Sequence, residues 1–591
     1  MIQGIGASAG IAIGKAFVLP NWEWDLPETG IDAVDLASEF ERLYEGIRTS
    51  KNEIEYIKNE FRDIVGEEES SIFDAHLAIL DDPVFMNEIQ GVIERQYKAA
   101  EVAVKEAIDH FVTMFDLLDD EYMKERAMDI KDVGNRLLKH LLGAPEITLP
   151  SDTQPYVLVV KELTPSQLAH LNPSHVLGVV TMLGGKTSHS SIMARALGIP
   201  LVAGLENKLA APIQTGDLIV LDGESGHMFV NPDKRVVEQF ECMRTEQQMK
   251  KEQLELLSAV ESVTKDGTQM RLSANISSVK ELDVAVKYGA LGVGLFRTEF
   301  LYMDRSTFPS EEEQFDVYRQ VVQKMDRCST VIRTLDIGGD KQLDYFPLPQ
   351  EDNPFLGYRA IRISLERQEL FQTQLTAILR ASAYGKVKIM YPMISSVEEV
   401  RQANQILHRA MADLDARGIA YDADIPVGVM IEIPAAAVIA DLLAEESDFF
   451  SIGTNDLVQY VLAVDRMNEQ IAHMYHPYHP AILRMLRTIV DAARNAGIPV
   501  SVCGEMAGDE RSIPLWLELG VHDLSMSIQS LLRVKHRILN TSALDACSTA
   551  QQCYKLATSS EIEKLLTDFN ESSRAENQAR KMDKGKDSHV S

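Results

Sequence analysis

Apolar positions change period along this chain, and each change marks a new part. Between Asp32 and Leu142 the spacing is helical. Leu36, Phe40, Leu43, Ile47, Ile54, Ile57 and Phe61 fall three, four or seven residues apart, the stripe of one long amphipathic helix. Further helices are predicted over Val102–Leu118 and Asp129–Leu142, with Pro145 closing the block. On either side the pattern is one of short β-branched runs. The first twenty residues read as strands, and Tyr156–Val160, Val176–Thr181 and Leu218–Leu221 read as more of them. The helical block is therefore predicted to be an insertion. Residues 1–31 supply the first strands of an α/β domain, 32–145 a helical domain, and 146–232 the rest of the α/β domain.

A charged helical run over 233–263 is predicted as a linker. Strand and helix patterns then alternate through residues 264–570. The strands are predicted at Met270–Ile276, Gly292–Glu299, Val331–Ile337, Val387–Met393, Val427–Ile433, Phe449–Gly453, Pro499–Gly504 and Asp523–Met526. Eight such units predict a (β/α)8 TIM barrel. The polar run 571–591 is predicted to be a disordered tail. The fold class is thus multidomain α/β, with an inserted helical bundle and a C-terminal barrel.

Composition narrows the function. The 591 residues carry a formal charge of −31, which argues against nucleic acid as a partner and suits a basic protein. No apolar run is long enough to span a bilayer. Five cysteines without metal-ligand spacing fit a reducing, cytoplasmic setting.

Two constellations carry chemistry. In the α/β domain, Gly184 and Gly185 turn the chain, and Lys186, Thr187, Ser188, His189, Ser190 and Ser191 lead into a helix with Ile192, Met193, Ala196 and Leu197 on its apolar side. A lone histidine at a helix start is commonly a surface or capping residue. Here the tight turn and flanking hydroxyls place it where free N–H groups and the helix dipole welcome an anion, so His189 is expected to carry one. In the barrel, the strand ends bring Arg297 and Glu299, Arg333 and Asp336, Met393, Glu432, Asn455 and Asp456, Cys503 and Glu505 to one rim, with Arg359 and Arg466 in rim loops. Several arginines on one rim can clamp a phosphate and a carboxylate. Glu432 and Asp456 can hold Mg2+, Asn455 can donate to a phosphoryl oxygen, and the Cys503 thiol can deliver a proton to carbon. A molecule with phosphate, carboxylate and a protonatable enol carbon is phosphoenolpyruvate. His473, His476 and His479 are evenly spaced, but Pro477 and Pro480 prevent a helix from aligning them, so a loop-packing role is expected.

The motifs GGKTSHSSIMAR, GLFRTEFLYM, RTLDIGGDK, NPFLGYRAIR, GVMIEIPAA, FSIGTNDLVQY and CGEMAG, in this order, resemble those of enzyme I of the bacterial phosphoenolpyruvate:sugar phosphotransferase system across residues 1 to 570. The resemblance implies that His189 is the phosphorylated histidine. It implies that Arg297, Arg333, Asn455 and Arg466, with Arg359 a further candidate, bind phosphoenolpyruvate. Glu432 and Asp456 would bind Mg2+, and Cys503 would protonate the enolate to pyruvate. It further implies a homodimer formed through the barrel and transfer to the phosphocarrier protein HPr. The helical block carries an acidic rim, including Glu67 and Glu68, around His76 and Leu80, and these are expected to dock HPr. A dikinase or synthase would need a large nucleotide-binding domain in place of the helical block, which shows no Gly-rich phosphate loop. A regulatory relative would be expected to carry a sensory domain before the first strands.

Overall fold

Strands far apart in sequence close one sheet in the N-terminal part of the chain. The computed structural model describes residues 1–572 apart from 20–25, 27–29, 33, 66–71, 117–120, 145–154, 165–166, 168–174, 186–187, 207, 210, 304, 327, 340–342, 344, 350 and 469. The chain divides into two units, Met1–Lys250 and Lys251–Ser591.

In the first unit, β1 (Ile2–Gln3), β2 (Ile5–Ser8) and β3 (Ile11–Val18) precede the helices, and β4 (Tyr156–Val160), β5 (Val176–Thr181), β6 (Leu201–Ala203), β7 (Leu218–Asp222) and β8 (His227–Val230) follow them. They form one eight-stranded sheet in the order β1-β8-β7-β3-β4-β5-β6-β2. β3 lies parallel to β4, with Lys15 opposite Tyr156, and antiparallel to β7. The sheet therefore needs chain from both sides of the helical block. All five residues of β4 are buried, as expected of a central strand covered on both faces.

The helical block comprises α1 (Leu36–Val65), α2 (Ile72–Asp81), α3 (Pro83–Gln96), α4 (Ala100–Asp116) and α5 (Glu121–Leu141). The stripe read on α1 faces inward, with Leu43, Ile47, Ile54 and Ile57 buried. Asp82 separates α2 from α3, accepting from the Val84 N–H at 2.6 Å while Pro83 opens the new helix. α5 begins at Glu121, well before the predicted Asp129, because its first turns are polar and carry little stripe. A short helix, α6 (His189–Ala196), follows β5, and α7 (Lys234–Glu255) occupies the predicted linker. Phe240 of α7 packs on Ile11 and Val220 of the sheet.

The second unit is a closed barrel of parallel strands: β9 (Arg271–Ile276), β10 (Gly292–Arg297), β11 (Ser329–Arg333), β12 (Val387–Tyr391), β13 (Val427–Ile431), β14 (Phe449–Ile452), β15 (Val500–Val502) and β16 (Asp523–Met526), which pairs back to β9. Seven of them fall within their predicted segments, while β11 starts two residues before the predicted Val331 and ends at Arg333. Leu295, Val331, Met390, Met430, Phe449 and Cys503 form a small apolar cluster of their own, apart from the large core that includes Ile389, Val429 and Leu524. A last helix runs over 559–572. The predicted disordered tail lies outside the described residues beyond 572.

Candidate active site

A parallel barrel brings the C-terminal ends of all its strands to one rim. Arg297 closes β10 and Arg333 closes β11, and the two stand opposite each other in the ladder. Arg333 is buried. Its Nη2 donates to Glu299 Oε1 at 2.6 Å, and its Nη1 lies 2.9 Å from Asp336 Oδ2. Burial alone would lower its pKa, but the charges of Glu299, Asp336 and Glu432 outweigh this and hold the guanidinium above its ordinary value.

Arg359 extends the network. Its Nη2 reaches Asp336 Oδ1 at 3.1 Å and Asp456 Oδ2 at 3.3 Å, and its Nη1 donates to the Tyr460 hydroxyl at 3.1 Å. That hydroxyl donates in turn to the Phe355 carbonyl at 2.5 Å, tying the loop of Arg359 to the helix of Asp456. Arg466 stands further off, 3.9 Å from Asp456 Oδ1.

Glu432 follows β13 directly and is buried. Its Oε1 accepts from the Met393 N–H at 2.7 Å, and Met393 holds a left-handed φ of 55° to present that N–H. A Cβ on Gly453 would stand 2.7 Å from Glu432 Oε2, so a larger residue at the end of β14 would push this carboxyl aside. Burial, then the charges of Asp456 and Asp336, push the Glu432 carboxyl up to about 8. Two crowded carboxyl groups of this kind are what a hard divalent cation relieves. Among the described residues no three His, Cys, Asp or Glu side chains form a ready metal cage. Two carboxylates completed by substrate oxygens and water suit Mg2+, which keeps several waters and favours oxygen ligands.

Asn455 and Glu505 fix each other. The Asn455 Nδ2 donates to Glu505 Oε1 at 3.1 Å, and the Glu505 N–H donates to Asn455 Oδ1 at 2.8 Å. The second hydrogen on Asn455 Nδ2 is thereby free to point elsewhere. Arg297, Asn455, Cys503, Glu505 and Asn275 line one cavity of about 340 Å³. The Cys503 thiol lies 3.6 Å from the Ile452 carbonyl, and burial pushes it up to about 11. It is a neutral S–H at physiological pH, the form that can give a proton away.

In the first unit, His189 is the first residue of α6, directly after β5 and its turn. Ser188, the residue before it, spends its hydroxyl on the Gly185 carbonyl at 3.0 Å and makes no side-chain cap. Ser191 also donates to the Gly185 carbonyl, at 2.7 Å, and the Ser188 and Ser191 hydroxyl oxygens lie 2.9 Å apart. The hydroxyls therefore brace the turn against the helix instead of blocking its N-terminus. Lys186 and Thr187 lie outside the described residues.

Known proteins resemble this chain in sequence along almost its full length. Three descriptions match in order: PEP-utilising enzyme, N-terminal, over residues 3–126; PEP-utilising enzyme, mobile domain, over 152–226; and PEP-utilising enzyme, PEP-binding domain, over 251–543. The phosphoenolpyruvate-protein phosphotransferase of Listeria monocytogenes is 44% identical over 96% of this chain and 99% of its own. Those of Geobacillus stearothermophilus and Bacillus subtilis are each 46% identical over 95% of this chain, covering 96% and 98% of their own. The chain belongs to the phosphoenolpyruvate-protein phosphotransferase family.

For this phosphotransferase family member, the structure gathers the barrel residues expected from sequence onto one rim: Arg297, Arg333, Arg359, Glu432, Asn455, Asp456, Arg466 and Cys503. It corrects the expected docking face. His76 and Leu80 are buried, and His76 Nε2 lies 3.4 Å from Asp129 of α5. They sit on the inward side of α2, packed against neighbouring helices, and offer no surface to a partner. Glu67 and Glu68 lie outside the described residues. His479 serves the fold, because its Nδ1 accepts from the Ala481 N–H at 3.1 Å and caps the helix Pro480–Ala496. Tyr460 was missed, although it stands one helical turn from Asp456, a spacing that puts both on one face. No described helix is long and apolar enough to cross a membrane.

Proposed function

We propose that this chain transfers the phosphoryl group of phosphoenolpyruvate to its own His189 and then to a histidine of HPr, releasing pyruvate, as the first step of sugar uptake and phosphorylation. The observation that carries the reading is the convergence of Arg297, Asn455 and Cys503 on one cavity, with Arg333 next to Arg297 across the ladder. An anion clamp, an amide donor and a neutral thiol are the three things this substrate needs. The names of the relatives point the same way.

Arg297 and Arg333 bind the phosphate by charge-assisted hydrogen bonds, with Arg359 and Arg466 beside them. Asn455, its amide fixed by Glu505, donates its remaining hydrogen to a phosphoryl oxygen. A ring nitrogen of His189 attacks phosphorus, and the bond from phosphorus to the enol oxygen breaks. The electron pair leaves as enolate, whose carbon takes the proton of the Cys503 thiol and becomes the methyl group of pyruvate. Glu432 and Asp456 would hold Mg2+, which when bound spreads the charge of the transferring group.

His189 belongs to the first unit and the clamp to the barrel, so the imidazole must visit the barrel and then a partner protein. We read this as a hinged swivel of the sheet domain. HPr would dock on the helical block through its acidic residues, with Glu67 and Glu68 among them. A homodimer through the barrel and a cytoplasmic location complete the reading.

The deciding experiment incubates the protein with radiolabelled phosphoenolpyruvate and Mg2+, with and without HPr. Acid-labile label on the wild type that passes to HPr, and none on His189→Ala, is the expected result. Label that persists on His189→Ala overturns the assignment.

A further inference from the structure

Behind the two clamp arginines lies a buried polar chain that the reaction itself does not use. The β10–β11 ladder ends at the pair Arg297 and Arg333. Beyond it the two strand ends are joined by side chains. The Thr298 hydroxyl donates to the Arg333 carbonyl at 2.8 Å. Gln374, on the helix Gln368–Ser382, donates through Nε2 to that same Thr298 oxygen at 3.0 Å and to the Tyr318 hydroxyl at 3.3 Å. Its Oε1 accepts from the Leu335 N–H at 2.9 Å, between Arg333 and Asp336. The chain continues outward: Tyr318 and Tyr302 both donate to Gln314 Oε1, at 3.1 and 3.0 Å, and Gln314 donates to the Pro309 carbonyl at 3.0 Å.

Thr298, Gln374, Tyr318, Gln314 and Tyr302 are all fully buried. Valine and methionine would fill the places of Thr298 and Gln374 with nearly the same volume and no polar atoms to satisfy. A saturated polar chain in such a place fixes direction more than it adds net stability. What it fixes here is the backbone on the C-terminal side of each arginine: Thr298 follows Arg297 directly and holds the Arg333 carbonyl, while Gln374 holds Thr298 and Leu335.

We propose that Thr298 and Gln374 are positioning residues for substrate phosphate, setting the spacing and aim of Arg297 and Arg333. The proposal rests on the reading of these arginines as the phosphoenolpyruvate clamp. Its basis is geometric. A bidentate clamp loses alignment over displacements of well under an ångström, and the β10–β11 ladder ends at this pair, although the Thr334 N–H still bonds the Met390 carbonyl of β12 at 2.9 Å.

The test measures labelling of His189 against phosphoenolpyruvate concentration, at fixed Mg2+, in the full-length protein. The variants are Thr298→Val, Thr298→Ser, Gln374→Met, the double variant Thr298→Val with Gln374→Met, and Arg333→Lys. Each is melted alongside, and kinetics are read well below the lowest melting temperature. The expected result is a rise of about tenfold in the half-saturating concentration for Thr298→Val and for Gln374→Met, with the saturating rate changed less than about threefold. Thr298→Ser, which keeps the hydroxyl, should saturate like wild type, and the double variant should be no worse than the poorer single one. Unchanged saturation in both single variants, with only a lower melting temperature, overturns the proposal and leaves the chain a structural brace. If Arg333→Lys also saturates normally, the clamp reading falls with it. If Arg333→Lys alone weakens binding, only the positioning role is lost.

Discussion

Arg333 and Glu299 meet at 2.6 Å with both side chains buried, an ion pair held across the ends of two neighbouring barrel strands. Removing one partner of such a pair strands the other charge. Arg333→Met is therefore expected to cost about 3–5 kcal/mol of stability, and adding Glu299→Leu should restore much of it. Neither variant should accept phosphoryl groups from phosphoenolpyruvate. Denaturant unfolding of the single and double variants checks the first part. A double variant no more stable than the single one would show that the pair is not what holds this rim.

Cys503 is expected to matter for where a proton goes. Cys503→Ala should slow pyruvate formation by roughly two to four orders of magnitude. In heavy water, with stereospecifically labelled substrate, the wild type should deliver the new hydrogen to one face of the carbon and the variant to both. Because burial holds the thiol up to about 11, it keeps its proton throughout the neutral and mildly alkaline range. An alkaline loss of activity near pH 8 that disappears in Cys503→Ser would contradict this.

Glu432 links the site to stability. Its carboxyl binds a proton more tightly folded than unfolded, with a value pushed from 4.5 to about 8. A group raised in this way favours the folded state fully below pH 4.5, and that support is lost as pH climbs towards 8. Without divalent cations, Glu432→Gln should therefore melt above the wild type, by a margin that widens between pH 5 and pH 8. A margin independent of pH would mean that the buried carboxyl is not the source of the strain.

In the helical block, the acidic run and the buried histidine should separate cleanly. Glu67→Lys combined with Glu68→Lys is expected to slow transfer to HPr while labelling of His189 by phosphoenolpyruvate continues unchanged. His76→Ala removes a buried ring that faces Asp129, so it should lower the melting temperature. It should leave transfer at saturating HPr close to wild type. A selective loss of HPr affinity in His76→Ala, without loss of stability, would return this histidine to the docking face.

The barrel was legible because strand ends are written in residue order. A β-branched run followed by an arginine or a carboxylate marks a rim position, and the barrel's closure carries each one to the same face. The place of His189 at a helix start was legible for a similar local reason, a tight turn opening a helix. His76 and Leu80 misled because an acidic, half-apolar helix looks alike from either side. Which side faces inward was decided by α5, which brings Asp129 against His76. Gln374 left no local signal. Its importance comes from contacts with Thr298 and Leu335, supplied by other segments.

The arrangement of the first sheet also sets an order of events in time. Ile2 in β1 pairs with Met228 in β8, and Lys15 in β3 pairs with Tyr156 in β4. On a ribosome adding about 5–20 residues per second, β1 waits on the order of ten to forty seconds for its neighbour to be made. The helical block, whose contacts are more local, can fold during that interval. The early strands meanwhile expose unpaired edges, which makes this stretch of synthesis the period of greatest risk from aggregation.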